Sequence, residues 1–227
     1  ESYKNFGRSM METSRFPRMS ESELWEMVTV EGDEHPRRAL QEGRGAIIFT
    51  GHFGNWELLC ATIAHGGFPV HATDTRHSND MTHKMIVDLR KSQGVQVMEP
   101  DEPFRGMLRM LSENQFIAYL SDQDGGRDGI FVDFLGRPAS TRRGLALLAL
   151  RSGSPIAPVF IVREGESRHR VIYHELVWRD PRLKGREAAA DLTQRCTRLL
   201  EDVIRRHPES YFWMHRRWKS KPPEPVA

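Results

Sequence analysis

The sequence predicts an α/β fold in which helices flank a mostly parallel, partly mixed sheet. Short apolar runs alternate with helical segments along most of the chain, as in folds that layer helices on a sheet. The 227 residues are enough to bury a sizeable core and are most simply one domain. We therefore expect a single domain over residues 1–227, with residues 1–30 as a peripheral segment.

Short apolar runs predict the strands. The clearest run, Ala-Ile-Ile-Phe-Thr at 46–50, ends before Gly51 and is typical of a short buried strand. Strands are predicted at 46–50, 69–73, 95–98, 116–121, 129–134, 155–162 and 170–177, with 211–215 as a further candidate.

Helical segments fall between many of these strands. The longest, 186–206, carries one apolar stripe and closes before Pro208, which cannot continue a helix. In the polar and otherwise irregular segment 1–30, the Ser-Glu-Ser-Glu run at 20–23 caps a short helix. Helices are predicted at 21–28, 56–65, 80–92, 103–113, 141–152 and 186–206.

Composition excludes several functional classes. The 33 basic and 31 acidic side chains give a net charge of +2, and no zinc-finger spacing or basic repeat indicates nucleic acid binding. Cys60 and Cys196 lie far apart without a CxxC pattern, which argues against a disulfide scaffold or a metal site and fits a reducing compartment. No apolar stretch approaches the roughly 18 residues that span a bilayer.

The segment HFGNWE at 52–57 carries the strongest chemical signal. His52 follows a strand and precedes a helix, where open α/β sheets place their ligands. A neutral imidazole can accept a proton from an alcohol, and a nearby carboxylate can fix its tautomer. Residues five apart in a helix diverge by about 140°. A dyad therefore requires His52 ahead of the helix and Glu57 reaching back from its first turn.

The neighbours of this pair suggest supporting roles. Asn55 and the backbone amides of the turn could donate to the oxyanion of a tetrahedral intermediate. Trp56 fits the core or the wall of a substrate cleft. The alternative interpretation is structural, with His52 capping the helix and Glu57 as a solvated acid that the helix dipole favours.

The run at 122–128, Asp-Gln-Asp-Gly-Gly-Arg-Asp, opens like a calcium loop. Its fifth and sixth positions are Gly126 and Arg127, whereas a calcium loop needs an oxygen ligand and then a glycine there. We expect no metal site and no cofactor. Downstream, Arg142 and Arg143 lie at the start of a predicted helix, which makes this region a candidate anion site, although surface solubility explains the charges equally well.

The ordered motifs resemble one known family. HFGNWE is similar to the histidine-x4-acid motif of the lysophospholipid acyltransferase superfamily, in particular the branch that adds secondary acyl chains to lipid A. The resemblance continues through most of the chain in the segments LR with Gly94 (89–94), DQDG (122–125), GIFVDFLG (129–136), PAST (138–141) and WMHRRWK (213–219).

The resemblance implies a fold like that of the glycerolipid acyltransferases and a set of site residues. His52 would be the general base, with Glu57 as its acid, and Arg90 would bind an anionic substrate. The 122–125 loop would lie in the active site, where Asp122 either gives the histidine a second acid or binds the acceptor head group. Residues implied in substrate binding are Arg90, Asp122, Gln123, Asp124, Asp133 and Trp56.

The implied activity is acyl transfer from a thioester, carried by acyl carrier protein rather than coenzyme A, to a hydroxyl of a lipid A-type glycolipid in lipopolysaccharide biosynthesis. The alternatives are another glycolipid acceptor such as a phosphatidylinositol mannoside, an amino-acid lipid, or a non-catalytic lipid-binding module. The branch usually carries an amino-terminal membrane helix. We therefore expect such a helix ahead of Glu1 in the natural protein, and a location at the cytoplasmic face of the bacterial inner membrane.

Overall fold

The computed structural model describes residues 1–73, 79–98 and 102–223. Its helices are α1 (Ser2–Ser14), α2 (Glu21–Met27), α3 (Glu34–Gln41), α4 (Trp56–His65), α5 (Asp80–Ser92), α6 (Phe104–Ser112), α7 (Gly144–Ser152) and α8 (Gly185–Arg206). Its strands are β1 (Val28–Glu31), β2 (Ala46–Thr50), β3 (Val70–Ala72), β4 (Gln96–Val97), β5 (Phe116–Leu120), β6 (Ile130–Phe134), β7 (Arg137–Thr141), β8 (Ile156–Glu164) and β9 (Arg168–Tyr173).

Seven strands form one sheet in the order β1-β9-β8-β2-β5-β3-β4. All neighbours in this sheet are parallel except β8 and β9, which form an antiparallel pair. Strands β6 and β7 form a separate antiparallel hairpin. The predicted fold class, a mostly parallel mixed sheet flanked by helices, is confirmed.

Strand β2 lies in the middle of the sheet and is buried on both faces. Ile47 and Phe49 belong to a core cluster with residues of α7 and α8, whereas Ala46 and Ile48 belong to a second cluster with residues of α4. Alternate residues of a strand point to opposite faces, so one short apolar run supplies both cores. The carboxyl end of β2 is therefore a rigid base for whatever follows it.

Most predicted elements are present, and the bounds of β2, α4 and α5 are those read from the sequence. The prediction of a strand at 211–215 is wrong. In the part of the chain that the structure describes, this segment forms only an isolated bridge, from Tyr211 to Phe53. The helix predicted from 141 begins at Gly144, because Thr141 still pairs with Ile130 in the β6–β7 hairpin.

The prediction that residues 1–30 are irregular apart from one short helix is also wrong. They contain α1 and the first residues of β1, in addition to α2. The buried residues of α1 are Ser9, Glu12 and Thr13. Because this buried face is polar, the helix leaves no apolar periodicity in the sequence.

A buried ionic network attaches α1 to the sheet. Arg163 on β8 binds the Glu12 carboxylate with two contacts, of 2.5 and 2.9 Å, and the Asn55 amide donates to the same carboxylate at 2.9 Å. His169 Nε2 lies 3.2 Å from it. Burial alone would raise the pKa of Glu12, but His169 and Arg163 lower it from 4.5 to about 2.

This network predicts a specific loss of stability in acid. A carboxyl group whose pKa is lowered by folding stabilises the protein above its ordinary value of 4.5, and this contribution disappears as the pH falls towards about 2. The difference corresponds to about 3 kcal/mol. In Glu12→Gln, the free energy of unfolding at neutral pH should be lower by about that amount, and its decrease between pH 5 and 2 should be shallower. Urea titrations at several pH values measure both effects.

The matched control for this prediction is Glu26→Gln, which changes an exposed glutamate of α2. It should leave the acid dependence of unfolding as in the unmodified protein. If the free energy of unfolding of Glu12→Gln fell as steeply in acid as that of the unmodified protein, ionisation of Glu12 would not contribute to the acid dependence of stability.

Candidate active site

The turn between β2 and α4 is fixed by a glycine and by the carboxyl-terminal segment. Gly54 has φ 58°, and a Cβ on it would clash with the carbonyl oxygen of Ile161. The Gly54 amide donates to Ser210 O at 2.8 Å, and the amide of Phe212 donates to His52 O at 2.9 Å. These contacts hold His52 at the carboxyl end of β2, ahead of α4, as the sequence predicts.

His52 is bound by a carboxylate from the neighbouring strand. Its Nδ1 lies 2.8 Å from Asp122 Oδ1, and its backbone amide donates to Asp122 Oδ2 at 3.0 Å. Asp122 follows β5, which pairs with β2 in parallel, so the two carboxyl ends meet at one edge of the sheet. Because the carboxylate accepts from Nδ1, the lone pair of a neutral imidazole lies on Nε2.

The Asp122 carboxylate is almost fully enclosed, since its side chain is 3% exposed and that of His52 is 23% exposed. Burial alone would raise the pKa of Asp122. The charge of His52 and the two hydrogen bonds from His52 outweigh burial and lower it below the ordinary value. At neutral pH Asp122 is therefore an anion that can stabilise a protonated imidazole.

Glu57 lies elsewhere, contrary to our expectation that it would reach back to His52. Its carboxylate forms a two-point ion pair with Arg90 on α5, with both N–O distances 2.8 Å. Both side chains are largely buried, at 11% and 16% exposed. Glu57 faces α5 from the first turn of α4, where the planar guanidinium offers it two parallel hydrogen bonds. Asp122, not Glu57, occupies the position beside His52 Nδ1.

The structure also contradicts the oxyanion role expected for Asn55. This side chain is 1% exposed. Its oxygen caps α4 by accepting from the Leu58 amide at 3.0 Å, and its amide donates to Glu12 and to Ser9 O. A side chain that is buried and satisfied in this way cannot turn towards a substrate without losing these bonds.

The turn amides are occupied as well. The amide of His52 binds Asp122, that of Phe53 binds Gly51 O at 2.8 Å, and that of Gly54 binds Ser210 O. Three of the turn amides from which we expected oxyanion donors, those of residues 52–54, are therefore engaged within the protein.

Aromatic rings form the wall beside His52. The Trp56 ring lies edge-on to the imidazole with centroids 5.1 Å apart, and Phe212 lies 6.1 Å from the imidazole. Phe6 of α1 packs against both of these rings. Trp56 thus contacts His52 directly, and α1 reaches the same cluster of rings although the sequence did not indicate it.

The other expected substrate-binding residues divide into two groups. Gln123 lies at the site, with its amide nitrogen 3.5 Å from His52 Nε2. Asp124 instead accepts from the backbone amide and the hydroxyl of Ser220, and Asp133 accepts from the Gly136 amide in the β6–β7 turn. Both carboxylates are therefore used to hold loops.

The carboxyl-terminal segment contributes residues that sequence reasoning left unassigned. His215 Nε2 accepts from the Asp124 amide at 2.9 Å, and burial lowers the pKa of this histidine. Arg217 is buried, donates to Ser140 O and the Thr141 hydroxyl, and stacks on Phe134. Aromatic residues lie among arginines and a lysine in WMHRRWK at 213–219. That pattern was compatible with a membrane surface or with a core strand, and it did not reveal a buried arginine.

Comparison with known proteins defines the family. The model of the family described as bacterial lipid A biosynthesis acyltransferase matches residues 1–220. The chain belongs to this family. It is 28% identical to a phosphatidylinositol mannoside acyltransferase of Mycolicibacterium smegmatis, over 77% of this chain and 59% of that protein. It is 26% identical to the lipid A biosynthesis palmitoleoyltransferase of Escherichia coli, over 98% of this chain and 71% of that protein.

Among solved structures, one that aligns with this chain is that of the 1-acyl-sn-glycerophosphate (LPA) acyltransferase PlsC from Thermotoga maritima. The alignment covers 85% of this chain and 79% of the PlsC chain. The alignment has 16% identity and a TM-score of 0.48.

Neither cysteine of this member of the lipid A acyltransferase family is activated for nucleophilic attack. Burial raises the pKa of both thiols, Cys60 and Cys196, to about 12, so neither is a ready nucleophile. Within residues 1–73, 79–98 and 102–223, no three His, Cys, Asp or Glu side chains form a group that could hold a metal ion. None of the described helices has the length and apolar composition needed to cross a bilayer.

Proposed function

We propose that this protein transfers a fatty acyl group from an acyl thioester to a hydroxyl of an anionic glycolipid. The observation that carries the proposal is the pair of His52 and Asp122, in which the buried carboxylate binds Nδ1 and leaves Nε2 as the proton acceptor. Membership of the lipid A acyltransferase family supports the same reaction. We further propose that it acts at the cytoplasmic face of the inner membrane.

The reaction proceeds by direct attack, without a covalent acyl-enzyme. His52 Nε2 removes the proton from the acceptor hydroxyl as its oxygen attacks the thioester carbonyl. Asp122 stabilises the imidazolium that forms, in the same way as the aspartate of a serine protease triad. The tetrahedral intermediate then collapses, the C–S bond breaks, and the imidazolium returns its proton to the departing thiolate.

Gln123 is the proposed oxyanion donor in place of Asn55. Its amide lies beside His52 Nε2, whereas Asn55 and the amides of residues 52–54 are engaged within the protein. A donor near the base is suitably placed for the oxygen of a carbonyl under attack by the hydroxyl that this base activates.

The ion pair of Glu57 and Arg90 positions the wall of the cleft. Glu57 directly follows Trp56, whose ring contacts His52, so the pair ties this part of α4 to α5. We propose that Arg90, fixed in this way, also presents positive charge to the anionic acceptor.

A double-mutant cycle tests the contribution of this pair to stability. Glu57→Gln and Arg90→Gln should each lower the free energy of unfolding by about 1–3 kcal/mol, because each breaks the two-point contact between these largely buried charges. The double variant should lose less than the sum of the two. Thermal and urea unfolding measure the coupling.

The control cycle uses Lys84→Gln and Asp88→Asn, an exposed pair on α5 with an N–O distance of 2.6 Å. Its coupling should be below about 0.5 kcal/mol. Additive effects at Glu57 and Arg90 would mean that their contact does not position α4.

The acceptor has two candidates. A lipid A precursor is suggested by the family and by the Escherichia coli relative, and a phosphatidylinositol mannoside is suggested by the mycobacterial relatives. For the donor, we propose acyl carrier protein rather than coenzyme A.

In the decisive experiment, the purified protein is incubated with an acyl thioester of acyl carrier protein or of coenzyme A, and with a lipid A precursor or a phosphatidylinositol mannoside. The lipid product is measured by mass spectrometry. We expect one added acyl chain on one acceptor class and release of one free thiol for each chain transferred. Binding of the lipids without any turnover would overturn the proposal in favour of a lipid-binding module. Acyl trapped on a protein side chain in a single turnover would overturn direct attack.

A further inference from the structure

A basic cavity of about 850 Å³ lies between α7 and the start of α8. Its other wall is formed by residues 127–130, which connect the 122–125 loop to β6. Six cationic side chains line it: Arg127, Arg143, Arg151, Arg179, Lys184 and Arg186.

The charge of this cavity is unbalanced. Asp128 is the only carboxylate among the lining residues, and all six cations are exposed. Within the described part of the chain, none of the six forms an ion pair with the protein. Cations that converge on one concave surface without carboxylate partners create a positive potential that attracts an anion.

The residues that precede helices α7 and α8, Arg143 and Lys184, both line the cavity. Helix α7 begins after Arg143 and α8 after Lys184, and neither has a side-chain cap. The first amides of each helix therefore lack a side-chain acceptor at the N-cap, and the helix dipoles add positive potential. Ile130, Leu147 and Leu150 give the cavity an apolar part as well. A ligand that carries a phosphate group attached to a less polar chain fits these features.

The cavity is close to the catalytic pair. The hydroxyl of Ser121, the residue before Asp122, donates to Arg142 O at 3.4 Å, and Arg143 is the next residue along the chain. From Gln123 to Arg127 the chain spans at most about 14 Å. A flexible arm held at the cavity therefore has a short path to His52.

The position of the cavity favours the thioester donor over the lipid acceptor. The cavity lies on the side of the sheet covered by α7 and α8. The most exposed large apolar side chains of the described residues, Tyr3, Met11, Met81 and Met85, lie on α1 and α5, which pack on the α4 side. A lipid surface suits the apolar side of the molecule, and a water-soluble donor suits the basic one.

We propose that this cavity binds the phosphate end of the phosphopantetheine arm that carries the acyl thioester. The inference rests on the proposed function, since it names the site at which the donor of that reaction binds. The same phosphate chemistry is present in acyl carrier protein and in coenzyme A, and the experiment separates them.

The test is the double charge reversal Arg179→Glu/Arg186→Glu, compared with Arg168→Glu/Arg198→Glu, a matched change at exposed arginines outside the cavity. Circular dichroism and thermal unfolding establish that both variants fold. In the cavity variant, KM for the donor should rise at least about tenfold, because charge-assisted hydrogen bonds to phosphate are lost. Both kcat and the acceptor KM should stay within about twofold of the unmodified protein's values, as should all parameters of the control.

Three results would overturn the proposal: an unchanged donor KM, an increase in the acceptor KM alone, or a loss with acyl carrier protein but not with coenzyme A. The last result would point to an acidic protein surface as the ligand. A comparable loss with both donors supports the shared phosphate.

Direct binding separates the failure of this inference from the failure of the proposed reaction. Calorimetry with coenzyme A and with holo acyl carrier protein requires no turnover. Weaker binding of both by the cavity variant supports the site even if no acceptor is acylated, and equal binding by both variants excludes it.

Discussion

His52→Ala should reduce the rate of acyl transfer by about 10²–10⁴-fold, the range that general-base catalysis supplies. The reason is that Nε2 of this residue is the group proposed to accept the hydroxyl proton, while Asp122 holds the ring through Nδ1. Steady-state assays with a saturating donor should show the loss in kcat, with little change in the acceptor KM.

His207→Ala provides the control, since this histidine ends α8 and its imidazole lies 4.0 Å from the Glu209 carboxylate rather than beside His52. It should retain most of the activity. A His52→Ala variant that folds and turns over at the normal rate would require a different base.

Asp122→Asn should be nearly as damaging at neutral pH. Asparagine can still accept the backbone amide of His52, so the fold should survive. Its amide nitrogen would face Nδ1, which then accepts a hydrogen bond and leaves the proton on Nε2. The base would be in the wrong tautomer, a change that costs about 10⁴-fold in kcat in a serine protease.

One measurement and one control variant accompany this prediction. Because the pKa of Asp122 is lowered in the folded protein, the unmodified protein should keep this carboxylate ionised well below neutral pH. NMR of the His52 imidazole in Asp122→Asn should show the proton moved from Nδ1 to Nε2. Asp133→Asn changes a carboxylate that binds the β6–β7 turn and should leave kcat near normal. Equal activities of the two variants would remove Asp122 from the mechanism.

The local part of the site could be predicted from the sequence. The apolar run of β2, Gly51 and the following helix are contiguous, so the position of His52 ahead of α4 follows from neighbouring residues. The partner of His52 could not be chosen in this way. Asp122 lies 70 residues further along the chain and reaches His52 only because β5 is adjacent to β2 in the sheet. Strand order is a long-range property, and the sequence left both possible roles of Asp122 open.

Two further features were hidden for a physical reason. Helix α1 docks through Ser9, Glu12 and Thr13, and a polar buried face carries no hydrophobic period. An asparagine such as Asn55 can serve either as an oxyanion donor or as a helix cap, and the sequence does not distinguish the two roles. Only the position of Glu12, 43 residues before it, shows that its amide is engaged.

The way in which the turn between β2 and α4 is held has a consequence for synthesis of the protein on the ribosome. The turn is bound by Ser9 and Glu12 near the start of the chain, by Asp122, and by Ser210 and Phe212 near its end. While the nascent chain lacks residues 210–212, His52 O and the Gly54 amide have no partners there. The turn should therefore take its final form only after residues 210–212 have left the ribosome and folded back onto it, so a shorter nascent chain should lack the catalytic arrangement.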